Sequence, residues 1–385
     1  MYRKTYVRID EEALTNNIKE IISKYNDYKY YFGVVKGNAY GHGDYIVNDL
    51  IKGGVNYLAV SSLEEAISIR KYNKDIPILC LEPIDIKYIK EIEDNNVTIT
   101  IENLNYIENL PKLDKKLKVH IKLDTGMNRL GFNNKEELTK AIDLLKQNKN
   151  IILEGIYTHI ATSGINDIYY DKQINKFIEL TKDINLKEIP IVHIGRSMTL
   201  VNHPKLDIVN GVRLGICMYG FNNSIPCPTG LRKIRRNLRL KKMGISESIL
   251  TNNLNLKTAF TLYTEVMSLR KVKEGSFVGY GANYIAKEDI YVATLPIGYY
   301  DGINKDMKYV SINNKKYEII GDICMDMITI KVDETVKLHD KVEIFGKNIS
   351  IREVARNMNT NAYHILTSIS TRVPRVYDNN KEIKY

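Results

Sequence analysis

The alternation of strand-like and helix-like segments is the feature that most constrains how this chain folds. Between residues 30 and 216, eight runs rich in β-branched and aromatic residues are separated by segments with helical apolar spacing, such as SLEEAISIRKY. Strands that alternate with helices indicate a parallel sheet, because parallel neighbours need a crossover connection. Eight such units predict a closed (β/α)8 barrel of the TIM type. The eight runs are YYFGVV, VNYLAV, IPILCL, VTITI, KVHIKL, LEGIYTH, IPIVHI and DIVNGVRLGI.

The sequence changes character near Phe260. From there on, strand-like runs such as YVATLPIGYY and YVSINNKKYEIIG are separated by turn residues, which is typical of antiparallel sheets. We therefore predict an α/β chain in which an N-terminal (β/α)8 TIM-like barrel is followed by a C-terminal, mainly antiparallel β domain. The predicted boundaries are 1–225 for the barrel, 226–258 for a junction and 259–385 for the β domain.

The chain is basic, with a formal net charge of +10, and its one tight basic cluster is LRKIRRNLRLKK, Leu231–Lys242. One interpretation is a partner that is anionic, for example a nucleic acid. The other is a lysine-rich solvated surface. We favour the surface because no aromatic or groove-reading motif accompanies the cluster.

Cysteine usage and hydropathy predict a cytoplasmic protein with no membrane partner. No apolar run reaches membrane-spanning length. The four cysteines are scattered without a C-x-x-C pair, so we expect neither a zinc site nor a disulfide framework, and no bound metal. They are Cys80, Cys217, Cys227 and Cys324.

Several cationic residues lie at or near the carboxyl ends of the predicted barrel strands, where barrel enzymes carry their chemistry. Lys36, Lys122, His159 and Arg213 would make this rim electropositive. The last two strands lead to Ser197 and Gly215, in the loops that hold phosphate in many barrels. A phosphate site near a lysine that can bond to an aldehyde suggests pyridoxal phosphate (PLP).

Each of these residues also has a purely structural interpretation. A lysine after a strand is often a solvated loop residue, a lone histidine is often a satisfied core residue, and Arg213 can serve as an ion-pair partner. Spacing alone leaves both interpretations open.

Eight motifs, taken together, resemble the alanine racemases, which are PLP enzymes built from a barrel and a β domain. The motifs occur in the family's order and extend over most of the chain. They are VVKGNAYGHG, HIKLDTGMNRLGF, EGIYTHIA, VRLGICMYG, VGYGANY, PIGYYDG, GDICMDM and SISTRVPRVY. The resemblance implies interconversion of L- and D-alanine by two bases, which supplies D-alanine for peptidoglycan. It also implies a homodimer with shared active sites.

The resemblance assigns the catalytic and cofactor-binding roles. Lys36 would hold PLP and act as the base on one face of the substrate Cα. Tyr280, from the partner subunit, would be the base on the opposite face. His159, held by Arg213, would hydrogen-bond Tyr280, and Arg213 would face the pyridine nitrogen. The implied phosphate ligands are Tyr40, Ser197, Gly215, Ile216 and Tyr363.

The resemblance also assigns the substrate contacts. Arg129 and the backbone of Met325 would bind the substrate carboxylate, and Asp326 would lie at the shared wall of the active site. Lys122 and Arg129 would repel each other as two cations. The family often solves this with a lysine carboxylated by CO2, which we expect at Lys122.

The chain departs from the family pattern at four positions: Arg196 replaces a usual Asn, Asp322 a common Arg, Tyr300 a small residue and His364 a common acid. None of the four is an assigned base. The alternatives that remain are a serine or broad-specificity racemase of the same fold, a related PLP decarboxylase, against which Arg213 counts, and a basic nucleic-acid-binding adaptor.

Overall fold

A computed structural model describes residues 3–163, 167–222, 229–242, 254–378 and 382–383. The chain divides into two compact units. The barrel unit comprises Leu14–Ala39 and Asp44–Lys257, and the sheet unit comprises Met1–Ala13, Tyr40–Gly43 and Thr258–Tyr385.

Eight parallel strands close the barrel unit, which confirms the predicted fold. The first strand of the chain, β1 (Tyr6–Ile9), lies in the sheet unit. β3 and β5 are buried along their whole length, as expected of barrel strands that are covered on both faces. The barrel strands are β2 (Tyr30–Val34), β3 (Tyr57–Val60), β4 (Ile78–Cys80), β5 (Val97–Ile101), β6 (Leu117–Leu123), β7 (Ile151–Thr158), β8 (Ile191–Arg196) and β9 (Gly211–Leu214).

Helices connect successive barrel strands, and several begin at a side chain that caps the first turn. Ser62, Asn103 and Asn134 each accept a hydrogen bond from a backbone N–H three residues later. The helices described up to residue 242 are α1 (Glu11–Lys24), α2 (Lys36–Tyr40, a single left-handed turn), α3 (Val47–Gly53), α4 (Leu63–Arg70), α5 (Ile89–Asp94), α6 (Leu104–Glu108), α7 (Lys135–Gln147), α8 (Ile168–Thr181), α9 (Ser197–Asn202) and α10 (Gly230–Lys242). Single 3-10 turns occupy Asp44–Ile46, Ile86–Tyr88 and Leu186–Glu188.

The basic cluster of the junction is helical, as α10. Its exposed side chains include Leu231, Ile234 and Leu238, whereas Arg236 is buried. Outside α10, the described residues of the predicted junction are 229 and 254–258. Cys227 lies outside the described residues. No helix in the described ranges is both long and apolar enough to span a bilayer.

The sheet unit is built on ten strands in the order β11-β14-β17-β16-β15-β18-β10-β1-β19-β20, while β12 and β13 form a separate pair. Among the described residues of this unit there are also two helices, α11 (Ile351–Asn357) and α12 (Ala362–Ser368), and 3-10 turns at Tyr280–Ala282 and Tyr299–Asp301. Its strands after β1 are β10 (Phe260–Glu265), β11 (Ser268–Val272), β12 (Phe277–Val278), β13 (Tyr284–Ile285), β14 (Ile290–Leu295), β15 (Tyr309–Ile312), β16 (Lys315–Ile320), β17 (Ile328–Val332), β18 (Lys341–Phe345), β19 (Arg375–Tyr377) and β20 (Glu382–Ile383).

The first residues of the chain correct the predicted domain boundaries. The prediction assigned 1–225 to the barrel, but β1 pairs antiparallel with β10 and parallel with β19. Residues 40–43 also belong to the sheet unit: the buried Arg375 donates from Nε to the carbonyl of Gly41 over 2.9 Å. Local sequence patterns do not reveal such long-range pairing.

Because β1 lies inside the sheet, Ile9→Ala should lower the free energy of unfolding by about 2–5 kcal/mol. Ile9 is fully buried. The neighbouring Arg8 is exposed and forms an ion pair with Asp378, so Arg8→Ala should cost at most about 1 kcal/mol. Urea unfolding of both variants measures the difference, and equal small effects would contradict the packing of β1.

Candidate active site

The predicted barrel residues meet at one rim, the carboxyl ends of the parallel strands. Lys36 lies two residues after β2, and Lys122 is the penultimate residue of β6. His159 directly follows β7, Ser197 follows β8 and Gly215 follows β9. Since β2 also pairs with β9, the two ends of this series are neighbours around the closed barrel.

The backbone that follows Lys36 is left-handed. Gly37, Asn38 and Ala39 have φ angles of 63°, 53° and 51°, and Tyr40 has 53°. Non-glycine residues pay about 1–2 kcal/mol each for this conformation. Such strain concentrates at functional sites, where the surrounding structure must hold it in place.

Glu65 stabilises this left-handed turn, a role that the sequence did not reveal. Its carboxylate accepts hydrogen bonds from the N–H of Gly37 at 2.7 Å and from the N–H of Ser61 at 2.8 Å. Ser62 caps the helix that carries Glu65 by accepting from the Glu65 N–H. The carboxylate itself, however, reaches the backbone next to Lys36.

Arg213 is buried inside the barrel and donates four hydrogen bonds. Its guanidinium contacts His193 Nδ1 at 2.7 Å and the carbonyl oxygens of Thr158, His193 and Ile194 at 2.8–3.2 Å. Within the described residues, the histidine bonded to Arg213 is His193, and the contact of Arg213 with His159 stays a prediction. His193 lies in the middle of β8, where its position in the sequence resembles that of an ordinary core residue.

Burial and neighbouring cations weaken proton binding at this rim. Burial, together with Arg213 and Arg129, lowers the pKa of Lys122 to about 7. Burial and Arg213 also hold the pKa of His159 well below its ordinary value. Burial lowers the pKa of Arg213 to about 10, so its guanidinium still remains charged at neutral pH.

A carboxylate organises the loop that carries Arg129. Asp124 accepts hydrogen bonds from the N–H groups of Gly126, Asn128 and Arg129 at 2.8–3.0 Å. Burial alone would raise the pKa of Asp124, but these three bonds lower it. Asp124 is thus a structural residue, and Arg129 is an exposed cation on a defined loop.

Arg196 and Ser197 supply a donor set that fits a phosphate-bearing cofactor. In the part of the chain that the structure describes, Arg196 Nε is buried and has no hydrogen-bond partner. The Ser197 hydroxyl accepts from the N–H of Gly215 at 2.9 Å, which brings the last two strand-end loops together. An unsatisfied buried cationic donor beside these loops favours an anionic ligand.

In the sheet unit, the predicted phosphate ligands Tyr40 and Tyr363 lie together, with ring centroids 5.7 Å apart. Tyr280 lies on a turn between Gly279 and Gly281, both of which have positive φ angles, and it is 72% exposed. Its phenol therefore projects from the sheet unit.

Met325 and Asp326 lie on a second loop of the sheet unit. Met325 is exposed, and its carbonyl accepts from the N–H of Tyr300 at 3.0 Å. Asp326 binds Arg372 at 2.7 Å, and Arg372 in turn binds the buried Asp301 at 2.6 Å. This chain of ion pairs fixes the loop.

The remaining departures from the family pattern have local partners. Asp322 accepts from the Asn283 amide at 3.0 Å, and His364 contacts the Thr360 hydroxyl at 3.0 Å. The ring of Tyr300 lies under the Arg372 guanidinium, 4.5 Å from its carbon. Within the described ranges, no group of three or more His, Cys, Asp or Glu side chains is arranged to hold a metal.

Comparison with known proteins decides the family. The model of the alanine racemase N-terminal domain matches residues 9–223, and that of the C-terminal domain matches residues 259–377.

The chain belongs to the alanine racemase family.

Full-length relatives support this assignment, and it confirms the resemblance inferred from the eight motifs. The chain is 34% identical to the alanine racemase of Anoxybacillus flavithermus and 32% identical to alanine racemase 1 of Bacillus subtilis. Each alignment covers 99% of this chain, and 97% and 95% of the relative.

Solved structures of alanine racemases have the same fold. The enzyme from E. faecalis superimposes with a TM-score of 0.85 at 30% identity, covering 98% of this chain and 99% of that one. The enzyme from Bacillus anthracis, solved with bound L-Ala-P, gives a TM-score of 0.84 at 31% identity, with coverages of 100% and 97%.

The left-handed turn yields a testable expectation for Glu65. Glu65→Ala should lower the free energy of unfolding by about 1–3 kcal/mol, because two backbone N–H groups lose a charged acceptor. It should also accelerate hydrogen exchange at the Gly37 amide. Glu64→Ala, an exposed change in the same helix turn, should stay within about 0.5 kcal/mol. Unchanged exchange at Gly37 in Glu65→Ala would contradict the role of Glu65.

Proposed function

We propose that this member of the alanine racemase family interconverts L- and D-alanine with PLP, and supplies D-alanine for peptidoglycan. The observation that carries the proposal is the cationic barrel rim, where Lys36 follows β2 while the charged Arg213 lies buried among β7–β9. The names of the relatives, and the L-Ala-P bound to one of them, support alanine as the substrate.

The cofactor, when bound, withdraws electrons from the substrate and so acidifies its Cα–H. Lys36 would attach the cofactor and move a proton at one face of Cα. Tyr280 would move a proton at the opposite face. Racemisation needs both, because a single base returns the proton to the face from which it came.

Arg213 would face the cofactor's ring nitrogen. Because a guanidinium has no acceptor, Arg213 can donate a hydrogen bond but leaves that nitrogen without a proton of its own. A neutral ring withdraws electrons less strongly, which favours simple proton exchange over side reactions such as transamination. Arg213 therefore supports racemisation more than decarboxylation.

We assign the phosphate to the two strand-end loops and to two tyrosines. Ser197 and the backbone N–H groups of Gly215 and Ile216 would donate to the phosphate, and so would the hydroxyl groups of Tyr40 and Tyr363. Arg196 Nε, which has no hydrogen-bond partner among the described residues, supports an added cationic contact in this chain. For the substrate carboxylate we propose Arg129 and the Met325 backbone, with Asp326 at the wall of the site.

We propose a cytoplasmic homodimer with shared active sites. The support is the exposure of Tyr280: a catalytic phenol that projects from its own sheet unit is suited to a neighbouring subunit's site. His159 would accept from, or donate to, this phenol. Its low pKa keeps the imidazole neutral, so it would orient the phenol without adding a charge.

The first experiment follows alanine in D2O with the purified protein and PLP. Cα–H should be lost and the opposite enantiomer formed, and formation of the opposite enantiomer should fall by about 100-fold or more in Lys36→Ala and Tyr280→Phe. Tyr309→Phe, an exposed tyrosine in β15, is the matched control and should be unaffected.

Two outcomes of this experiment would redirect the proposal. Exchange without inversion would show that only one base acts, so that the role of Tyr280 or the dimer is wrong. No exchange with PLP bound would exclude alanine; parallel incubations with serine and histidine then test other substrates, since a histidine racemase from Leuconostoc mesenteroides has the same fold at 25% identity.

Lys122 should carry a carboxyl group derived from CO2. Only the neutral amine reacts with CO2, and a pKa of about 7 leaves much of Lys122 neutral at pH 8. Protein equilibrated with ¹³CO2 should therefore show a carbamate carbon signal that is absent in Lys122→Ala and that fades as the pH falls below 7. Lys118→Ala, in the same strand, is the control. A bare amine at Lys122 at pH 8 would refute this proposal.

A further inference from the structure

Four side chains, three of them buried and one partly buried, form a continuous hydrogen-bonded row through the barrel unit. Arg213 contacts His193 Nδ1 at 2.7 Å, and His193 Nε2 contacts His120 Nδ1 at 3.0 Å. The row ends where His120 Nε2 meets the carboxylate of Glu154 at 3.3 Å. Both histidines are fully buried. We call these four residues the Arg–Glu row.

The two ends of the Arg–Glu row determine the direction of every bond in it. A guanidinium only donates, so His193 must accept at Nδ1 and carry its hydrogen on Nε2. A carboxylate only accepts, so His120 must carry its hydrogen on Nε2 and accept at Nδ1. These two requirements agree at the central contact, where His193 Nε2–H donates to the bare Nδ1 of His120.

Each histidine can satisfy this pattern only if it is neutral, with a single ring hydrogen. Burial lowers the pKa of His120 and holds the pKa of His193 well below its ordinary value. At the far end, burial alone would raise the pKa of Glu154, but hydrogen bonds from His120, Lys118 and Tyr57 lower it to about 2. Glu154 is therefore an ionised acceptor.

The backbone is shaped to make room for the row. β7 is irregular beside His120: Val119 pairs with Leu153 but His120 pairs with Gly155, which leaves Glu154 as an extra residue. Such bulges re-aim side chains near active sites. A Cβ at Gly155 would lie 2.5 Å from the His120 ring, so that only glycine leaves the ring in place.

A simpler alternative is that Glu154 serves only as the ion-pair partner of Lys118. That pair uses Glu154 Oε1 at 2.7 Å, and Lys118 is partly exposed. The other carboxylate oxygen, Oε2, is the one that meets His120 and also accepts from the Tyr57 hydroxyl at 2.7 Å. The two roles therefore use different atoms and can be separated by mutation.

We propose that Glu154 is a positioning residue for Arg213: through His120 and His193, it fixes the imidazole tautomers that let His193 Nδ1 accept from the guanidinium. The reverse arrangement would place an N–H of His193 against an N–H of Arg213 and displace the arginine. Only the consequence for the cofactor rests on the proposed function, through the contact of Arg213 with the ring nitrogen.

The tautomers can be measured directly. The chain has seven histidines, so selective ¹⁵N labelling of the histidine rings of the full-length protein gives few signals to assign. His120 and His193 should both be neutral with hydrogen on Nε2, with and without PLP. A hydrogen on Nδ1 of either ring would overturn the proposal, whatever the enzyme's activity.

Variants of Glu154 test its part in the row. Glu154→Gln retains a carbonyl acceptor and should keep both tautomers. Glu154→Met removes the acceptor at one end, so that only Arg213 still orders the row and the His120 Nε2–H has no acceptor. It should produce mixed tautomers at His120, together with a roughly fivefold faster release of PLP, the effect of one lost buried hydrogen bond. Lys118→Met is the matched control: it leaves Oε2 in place and should preserve the tautomers, with PLP release changed less than about twofold.

Unchanged tautomers in Glu154→Met would also overturn the proposal. Altered tautomers in Lys118→Met would do so too, because the ion pair would then be the feature that matters. If Glu154→Met does not fold, Glu154→Asp, whose carboxylate is withdrawn by one methylene, should give the same loss at His120. If the tautomers respond as expected but alanine is not racemised, the Arg–Glu row stands and the proposed function fails.

Discussion

The charge of Arg213 inside the barrel is the constraint on which the rest of the site depends. A buried guanidinium is costly unless its donors are satisfied, and within the described residues none of its partners is a carboxylate. Its partners are three carbonyl oxygens and His193. Two of those carbonyls belong to His193 and Ile194, where the pairing of β8 with β9 is irregular. Because the strand is irregular here, these carbonyl oxygens can accept from Arg213. In a regular ladder they would accept from the neighbouring strand.

The same charge sets the protonation of its neighbours. Lys122 and His159 bind protons weakly because burial and Arg213 act on both in the same direction. Burial and this one buried cation together keep the imidazole at the rim neutral and lower the pKa of the lysine amine. The neutral His193, next to Arg213, donates a hydrogen bond to His120, and His120 donates one to the negatively charged carboxylate of Glu154. The negative charge of Glu154 thus balances the positive charge of Arg213 from a distance, because the hydrogen bonds of the two histidines between them all run in the same direction.

The sequence predicted most of the fold and the rim, but not the interior. The eight barrel strands were predicted because each is a continuous apolar run, and Lys36, His159 and Ser197 were found because parallel strands end at one rim. His120 and His193 were missed because a histidine inside KVHIKL or IPIVHI has the pattern of an ordinary core residue. Glu154 was missed because a strand bulge turns it inward, and local patterns do not show bulges. The left-handed turn after Lys36 and the placement of β1 likewise depend on contacts that are distant in sequence.

The placement of β1 has a consequence for how the chain is made. Tyr6–Ile9 leave the ribosome before any barrel strand, yet their partners are Phe260–Tyr263 and Arg375–Tyr377. Every barrel strand is synthesised before the first of these partners appears, so a nascent chain carries an unpaired strand through most of its synthesis. Unpaired edges are where chains associate wrongly. The four residues of β1 alternate in burial and include the charged Arg8. This pattern limits the apolar surface that the strand exposes until its partner strands have been synthesised.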